Sequence, residues 1–492
     1  TWKSRGLGDV YKRQGLDITL LSNAGNVCDL SAPVMSRALT HLDNCYSFKD
    51  FTARGYICKT NTVSNTAFRG FGGPQGMLAI ETILERVSRF LGIDLDALRR
   101  ENYYSPKNGI KTPYGQIVKN IKIEKIINEM ETFAGLEKRK LLVERFNTSQ
   151  INKNQPYRKG IAFMPAKFGI SFNKVSLNQA GALVHVYTDG SVRLNHGGTE
   201  MGQGLFTKVA QVVSECFNIP LDYVHIAGTN TDEVPNTSAT AASSGSDING
   251  MAAWKAATVI KQRMLKHAIK VFKKPPSSIE FKNGLILSGN KSMTFKELAF
   301  SCWENRISLS STGFYKTPKI SWDQEKFKGS PYFYFTWGAA VSEAIIDIDT
   351  GESRILRADI IQDCGSSLNP LIDRGQIEGG FIQGIGWLTC EELYFNPEGK
   401  LLTLGPSTYK IPGSRDVPPE FNIKLLENTP NEEKTIFRSK AVGEPPLLLS
   451  ISHFLALKNA VSMASETSNA DLLNAPATPS KILAAVHNDH SM

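Results

Sequence analysis

The sequence predicts an α+β fold, because strand-like alternation and helix-like periodicity occupy separate stretches, and long helical patterns follow loops rich in glycine or other small residues. No tandem repeat or low-complexity tract suggests a solenoid or a linker array. The first helical signal follows Phe68-Arg69-Gly70-Phe71-Gly72-Gly73-Pro74-Gln75-Gly76-Met77. Glycine lets a backbone approach a ligand and take positive φ, and Pro74 suits the first turn of a helix. Met77, Ile80, Leu84, Val87 and Leu91 then recur at three- and four-residue spacing up to a stop at Gly92. The loop therefore ends on a helix N-terminus, whose free N–H groups suit an anion.

Further along, residues 105–160 are polar, with lysines, asparagines and prolines, and suit a connection between two domains. Ala182, Val184 and Val186 alternate up to the turn Thr188-Asp189-Gly190-Ser191, and Val192 and Leu194 continue beyond it, which predicts a hairpin. Gly197-Gly198-Thr199-Glu200-Met201-Gly202-Gln203-Gly204 leads into a helical run of Leu205, Val209, Val212, Val213 and Phe217, closed by Pro220. The small-residue loop from Thr237 to Asp247 leads into another long helical pattern. Residues 273–328 are lysine-rich and read as irregular. Strand signals return at Ala344-Ile345-Ile346-Asp347-Ile348-Asp349-Thr350-Gly351, followed by Ile355 and Leu356. Gln376 to Gly384 reads as a fourth glycine-rich loop, and Lys440-Ala441-Val442-Gly443-Glu444-Pro445-Pro446 as a fifth. Five such loops point to one large cofactor wrapped by backbone amides, since a single phosphate needs only one.

Composition narrows the class. The 492 residues are enough for two or three domains, and 41% hydrophobic with 21% charged residues is ordinary globular usage. No run approaches the roughly eighteen apolar residues that would span a bilayer, and no secretory signal opens the chain, so a soluble, cytoplasmic protein is expected. The seven cysteines are widely spaced without a CxxC pair, which argues against a disulfide framework, a zinc site or an iron-sulfur site. The net charge of +9 is spread among neighbouring acids and carries no nucleic-acid motif. Anionic substrates or acidic partner subunits suit it better.

The motifs FRGFGGPQGM, GGTEMGQG, TSATAASSGSD and KAVGEPP occur in that order. Together they make the chain resemble the molybdenum-binding part of the xanthine dehydrogenase and aldehyde oxidase family, closest to the xanthine dehydrogenase branch. The resemblance extends to Pro476-Ala477-Thr478-Pro479 and implies molybdenum-hydroxylase cofactor-binding domains truncated at the N-terminus. Residues 1–14 resemble, through Asp9-Val10-Tyr11-Lys12-Arg13-Gln14, the translation of a transposon end used in sequencing libraries, and are set apart as a scar, with a genuine polar N-terminal arm as the plain alternative. Residues 15–125 then correspond to the C-terminal remnant of a first molybdopterin-binding domain, 126–430 to the second, and 431–492 to a C-terminal helical segment carrying a catalytic glutamate.

The resemblance implies a molybdenum–molybdopterin cofactor whose metal needs no protein ligand, so the eight histidines, His196 among them, are expected to be structural. It implies that Glu444 is the general base, a role that requires reach to the proton and a matched pKa; a helix-capping glutamate is the plain alternative. Arg37 matches an arginine that orients a purine and offsets its developing negative charge, and Phe71 and Phe172 match two aromatics that sandwich the ring. Ala67, Arg69, Gln203, Ala242, Ser243, Ser244 and Gln376 match positions beside the cofactor. Asn173, after Phe172, departs from the threonine that many xanthine dehydrogenases carry, which leaves the detailed substrate contacts open.

The implied activity is hydroxylation of xanthine or hypoxanthine with water-derived oxygen, with an aldehyde or another N-heterocycle as the alternative substrate. Electrons would pass to a 2Fe-2S centre and FAD on missing domains or partner subunits, in a complete enzyme that is a homodimer, with NAD or oxygen as acceptor left open. The family's upstream glycine-rich loop and second substrate-orienting glutamate would precede residue 1, so this chain is expected to be inactive by itself. A non-catalytic protein that kept the fold is the remaining alternative.

Overall fold

The computed structural model describes residues 15–233 and 237–489. The stretch set apart as a scar, 1–14, lies outside the described residues.

A strand buried on both faces organises the molecule. Tyr334–Asp347 pairs antiparallel with Tyr157–Ile170 over its whole length, from Tyr334 opposite Ile170 to Asp347 opposite Tyr157. On its other side it pairs antiparallel with Ser353–Gln362, which in turn takes Glu420–Leu425 as a parallel neighbour. Successive residues of a strand point to opposite faces, so its alternate side chains enter different cores. Tyr334, Ala340, Ala344 and Ile346 pack with helices Pro370–Thr389 and Ile451–Ser462, whereas Phe335, Trp337, Ala339 and Val341 pack with the N-terminal helices. Gly160 makes the helical cover close: a Cβ there would lie 1.9 Å from the Ala456 carbonyl oxygen.

A second sheet has the strand order Ser310–Lys316, Gln179–Val186, Val192–His196, Val224–Ile226, and the predicted hairpin around Asp189 is its middle pair. Helices Leu205–Phe217 and Gly245–Phe272 cover it. Ala252, Ala253, Ala256 and Ala257 form a thin stripe on the longer helix, and a Cβ on Gly313 would meet the Ala252 carbonyl oxygen at 2.1 Å. The third core gathers the parallel strands Gly15–Gly25 and Asp50–Lys59 with helix Gly73–Leu91, which carries Pro74 in its first turn and is capped by Gly92 as its sequence requires.

Three stretches differ from what their sequences suggest. Residues 105–160 contain helices Ile123–Ala134 and Leu136–Asn152, because Ile123, Ile126, Ile127 and Met130 form a buried stripe within an otherwise polar composition. Residues 273–328 hold several short strands and helix Phe295–Glu304, opened by a reciprocal capping box between Thr294 and Glu297. Gln376–Gly384 is no loop but the middle of helix Pro370–Thr389. Its glycines serve close packing: a Cβ on Gly384 would lie 2.1 Å from Ser450 Oγ and 2.5 Å from the Leu447 carbonyl oxygen. Among the described residues, no helix is long and apolar enough to cross a membrane.

Two glycines of this one helix separate packing from propensity. A Cβ on Gly375 would have nothing within 4 Å, so Gly375→Ala should gain up to about 1 kcal/mol from helix propensity. Gly384→Ala should instead lose about 1–3 kcal/mol, because a backbone carbonyl cannot move aside as a side chain does. Chemical denaturation of both variants checks this; equal stabilities would show that the contact with residues 447–450 is dispensable.

Candidate active site

Four of the five motif segments and the glycine-bearing helix converge on one cavity of about 680 Å³. That volume lies in the range of roughly 300–1,000 Å³ usual for organic ligands. Ala67, Arg69 and Phe71 come from the first loop, Gln203 from the second, Ala242, Ser243 and Asp247 from the third, Gln376 and Gln383 from helix Pro370–Thr389, and Lys440 to Glu444 from the last segment.

Backbone conformation aims the first and third loops. Gly70, Phe71 and Gly72 take φ of 92°, 52° and 100° in succession. Glycine adopts such angles without strain, whereas for Phe71 they carry a cost that the surrounding structure must hold. A Cβ on Gly72 would lie 2.0 Å from the Val34 carbonyl oxygen, so the loop lies directly on helix Ser31–Leu39. Ala242 and Ser243, at φ 54° and 55°, form a second left-handed turn just before helix Gly245–Phe272.

Arg69 joins three segments. Its Nε donates to the Gly443 carbonyl at 2.7 Å, Nη1 to Gln383 Oε1 at 3.2 Å, and Nη2 to the carbonyl and Oε1 of Gln376 at 3.3 and 3.2 Å. Burial lowers its pKa, and the Glu444 carboxylate offsets part of that. Glu444 itself is gripped by Ser243, whose hydroxyl donates to Glu444 Oε2 at 2.7 Å and accepts from the Glu444 N–H at 2.8 Å. The carboxylate thus has one oxygen occupied. No hydrogen bond from the described residues reaches Oε1.

The remaining sequence-predicted residues divide. Gln203 lines the cavity, but its amide folds back on its own loop, accepting from the Met201 N–H and donating to the Thr199 carbonyl at 2.8 Å. Ser244 is not in the wall; its hydroxyl donates to the Ala241 carbonyl at 3.1 Å. Phe172 is also outside the wall, with its N–H and carbonyl both bound by Asn178. Arg37 is only 2% exposed and likewise outside it. Its Nη atoms donate to the Ser171 and Gly169 carbonyls, and the guanidinium lies 4.6 Å from the Phe168 ring centroid. His196 accepts from the Gly198 N–H at 3.1 Å, and burial pulls its pKa down to about 4, which keeps it neutral.

Several ionisable groups in the wall escape a reading of the sequence. Lys208 pairs with Asp373, whose other oxygen accepts from Ser367. Lys440 Nζ donates to Asp363 at 2.6 Å and to the Phe335 carbonyl at 3.1 Å. Asp247 accepts from the Tyr334 hydroxyl at 2.7 Å. Burial pushes the Asp247 pKa up to about 7, against the opposing pull of that hydroxyl and of Lys208. One signal exists for these groups: Lys208 falls on the buried stripe of Leu205, Val209, Val212 and Val213, where a lysine is out of place unless paired.

The donor set fits one kind of ligand. Among the described residues no group of three or more His, Cys, Asp or Glu side chains is arranged to hold a metal ion. A metal here would have to bring its own ligands, and the small residues leave room for the backbone to surround them. Behind the wall, Gly197 and Gly198 let the second loop pack closely on its neighbours: Cβ atoms there would meet Thr237 Oγ1 at 2.3 Å and Leu205 Cδ2 at 2.6 Å.

Two family models, each described as a molybdopterin cofactor-binding domain, match residues 130–418 and 6–103. Among curated proteins, xanthine dehydrogenase/oxidase of Felis catus is 46% identical over 474 residues, which is 95% of this chain and 34% of the relative. The xanthine dehydrogenase of Dictyostelium discoideum is 44% identical over 475 residues, 95% of this chain and 33% of the relative. The chain therefore spans about a third of the length of these relatives. Among solved structures, quinoline 2-oxidoreductase from Pseudomonas putida 86 superposes with a TM-score of 0.81 at 21% identity, covering 97% of this chain and 60% of that one. Aldehyde oxidoreductase from Desulfovibrio desulfuricans gives 0.77 at 21% identity, covering 96% and 47%. At that identity the superpositions speak for the fold alone.

Asp247 gives the cofactor-free protein a pH signature. Its pKa is raised on folding, from 3.8 to about 7, so the folded state holds this proton more tightly. The associated stability is present below the unfolded pKa and is lost as pH rises through about 7. Asp247→Asn should therefore be more stable than wild type at pH 8, by on the order of 2 kcal/mol more than at pH 5. Thermal melts at the two pH values check it; a gap independent of pH would mean that Asp247 stays ionised throughout.

Proposed function

This chain belongs to the xanthine dehydrogenase family as its molybdopterin cofactor-binding portion, and from that premise we propose that it forms the reaction chamber of a molybdenum hydroxylase acting on xanthine or hypoxanthine. Water-derived oxygen enters at a heterocycle carbon, and the electrons leave to iron-sulfur and flavin centres elsewhere in a complete enzyme, which we take to be a cytoplasmic homodimer. Because the chain spans about a third of its curated relatives, we expect it to turn over little by itself.

The observation that carries this reading is the carboxylate of Glu444 in the cavity wall, fixed at one oxygen by Ser243 and linked through the Gly443 carbonyl to Arg69. When bound, a pterin-held molybdenum supplies the redox capacity that no side chain here has. Ala67, Arg69, Gln203, Ala242, Ser243 and Gln376 would hold that group, and Ser244 would support them from behind the wall. Glu444 Oε1 takes the proton released during hydroxylation, while Ser243 keeps the carboxylate from rotating away. Phe71 presents its ring to a flat substrate, with Phe172 proposed as the second aromatic.

One observation favours an aldehyde or another N-heterocycle as the alternative substrate. The Arg37 Nη atoms are committed to two backbone carbonyls, so use on a purine requires the guanidinium either to act through Nε, which is buried without a partner, or to give up one of those bonds.

In the complete, cofactor-loaded enzyme, Glu444→Gln should lower kcat by about 10²–10⁴-fold with molybdenum content unchanged. Undiminished turnover would remove Glu444 from the role of base, whereas absence of turnover in the wild-type enzyme would favour a non-catalytic protein that kept the fold. The ratio of purine to aldehyde turnover in Arg37→Met resolves the substrate: a fall of about 10²-fold or more supports the purine, and an unchanged ratio supports the alternative.

A further inference from the structure

Glu444 is presented from a stretch without regular structure, ahead of the four-residue helix Pro445–Leu448, so its placement depends on what anchors residues 440–444. Lys440 is tied to Asp363 and Glu444 to Ser243. Between them, the Ala441 N–H donates to Tyr334 Oη at 2.8 Å, and the same hydroxyl donates to Asp247 Oδ2 at 2.7 Å. A phenol has one proton to give. Since the oxygen already accepts from Ala441, Asp247 fixes the direction in which that proton points and so keeps a lone pair turned to the backbone. Both side chains are 6% exposed, where an unmade hydrogen bond costs most.

The layout is economical in sequence. Ser243 and Asp247 lie four residues apart at the start of helix Gly245–Phe272, and they hold Glu444 and, through Tyr334, Ala441, which are three residues apart. Two rows of contact prevent the segment from pivoting about the single Ser243 bond. We propose that Asp247 and Tyr334 are positioning residues for Glu444, acting as a clamp on its backbone, an inference that rests on the role assigned to Glu444 above. Asp247 differs from a plain structural anchor in that it also lines the cavity beside Lys208, so the clamp sits where the ligand binds.

The test uses Tyr334→Phe, Asp247→Ala and Asp247→Asn in the complete, cofactor-loaded enzyme. Tyr334→Phe and Asp247→Ala should each lower kcat by about 10–100-fold with KM within twofold and molybdenum content unchanged, because displacement of a catalytic group acts on the chemical step. Asp247→Asn retains an acceptor for the hydroxyl and should recover at least a third of the wild-type rate. Amide exchange in the peptide containing Ala441 should rise at least tenfold in the first two variants and stay near wild type in the third. Unchanged exchange at Ala441 overturns the clamp, as does an Asp247→Asn enzyme no better than Asp247→Ala. Should Tyr334→Phe fail to fold, the two Asp247 variants still decide. Exchange needs no turnover, so loosening at Ala441 together with a fully active Glu444→Gln enzyme would refute the role proposed for Glu444 while leaving the backbone clamp in place.

Discussion

The Arg69 guanidinium is the constraint on which the cavity depends. A half-buried cation is costly unless its donors find acceptors, and here the acceptors come from parts of the chain more than 300 residues away: Gly443, Gln383 and Gln376. Meeting that demand brings the first glycine-rich loop, helix Pro370–Thr389 and the segment bearing Glu444 to one point. Space is arranged for it as well. A Cβ on Gly380 would approach Arg69 Nη2 to 3.1 Å and Pro446 Cβ to 3.1 Å, so a side chain there would press on the guanidinium and on the segment behind Glu444 together.

Rigidity at that point comes from the sheet beneath. Tyr334–Asp347 is buried on both faces and paired with Tyr157–Ile170 along its whole length, and its first residue, Tyr334, opposite Ile170, is the post for the Ala441 amide. The next residue, Phe335, faces the opposite core yet offers its carbonyl to Lys440. The strand therefore anchors the Glu444 segment through both a side chain and its backbone. A loop supported in this way needs no helical structure of its own to hold a carboxylate in place.

Sequence reveals the parts that depend on local chemistry. The helix after Pro74, the hairpin around Asp189 and the strand near Ala344 follow from periodicity and turn residues, which are properties of a few neighbours. Ala67, Arg69, Phe71, Gln203, Ala242, Ser243, Gln376 and Glu444 stand out by motif and do line one cavity. What sequence cannot supply is pairing across distance. Glycines at Gln376–Gly384 look the same whether they make a turn or admit Arg69 and Ser450 against a helix. Nothing local to Arg37 shows that its donors end on Ser171 and Gly169, and nothing local to Lys208 shows that Asp373 awaits it.

The same distant pairings set the electrostatics of the chamber. Arg69, Lys208 and Lys440 face Glu444, Asp373 and Asp363, a balance of three cations and three carboxylates to which Asp247 is the addition. With Asp247 protonated the chamber is close to neutral, and its ionisation adds one negative charge in a setting where screening by water is weak. An anionic ligand would raise the cost of that ionisation and hold the proton on Asp247 more firmly. With Oδ2 engaged by Tyr334, a proton on Oδ1 would make the same carboxyl that steadies the Glu444 segment a hydrogen-bond donor. Its neighbours Lys208, Tyr334 and Tyr315 are placed differently. The lysine is held by Asp373, and the Tyr334 hydroxyl is spent on Asp247 itself. Burial, and after it the charge of an ionised Asp247, pushes the Tyr315 phenol upward, away from the range where it would change state. The group whose ionisation falls near neutrality is thus also the one that, through Tyr334, fixes the geometry of the proposed base.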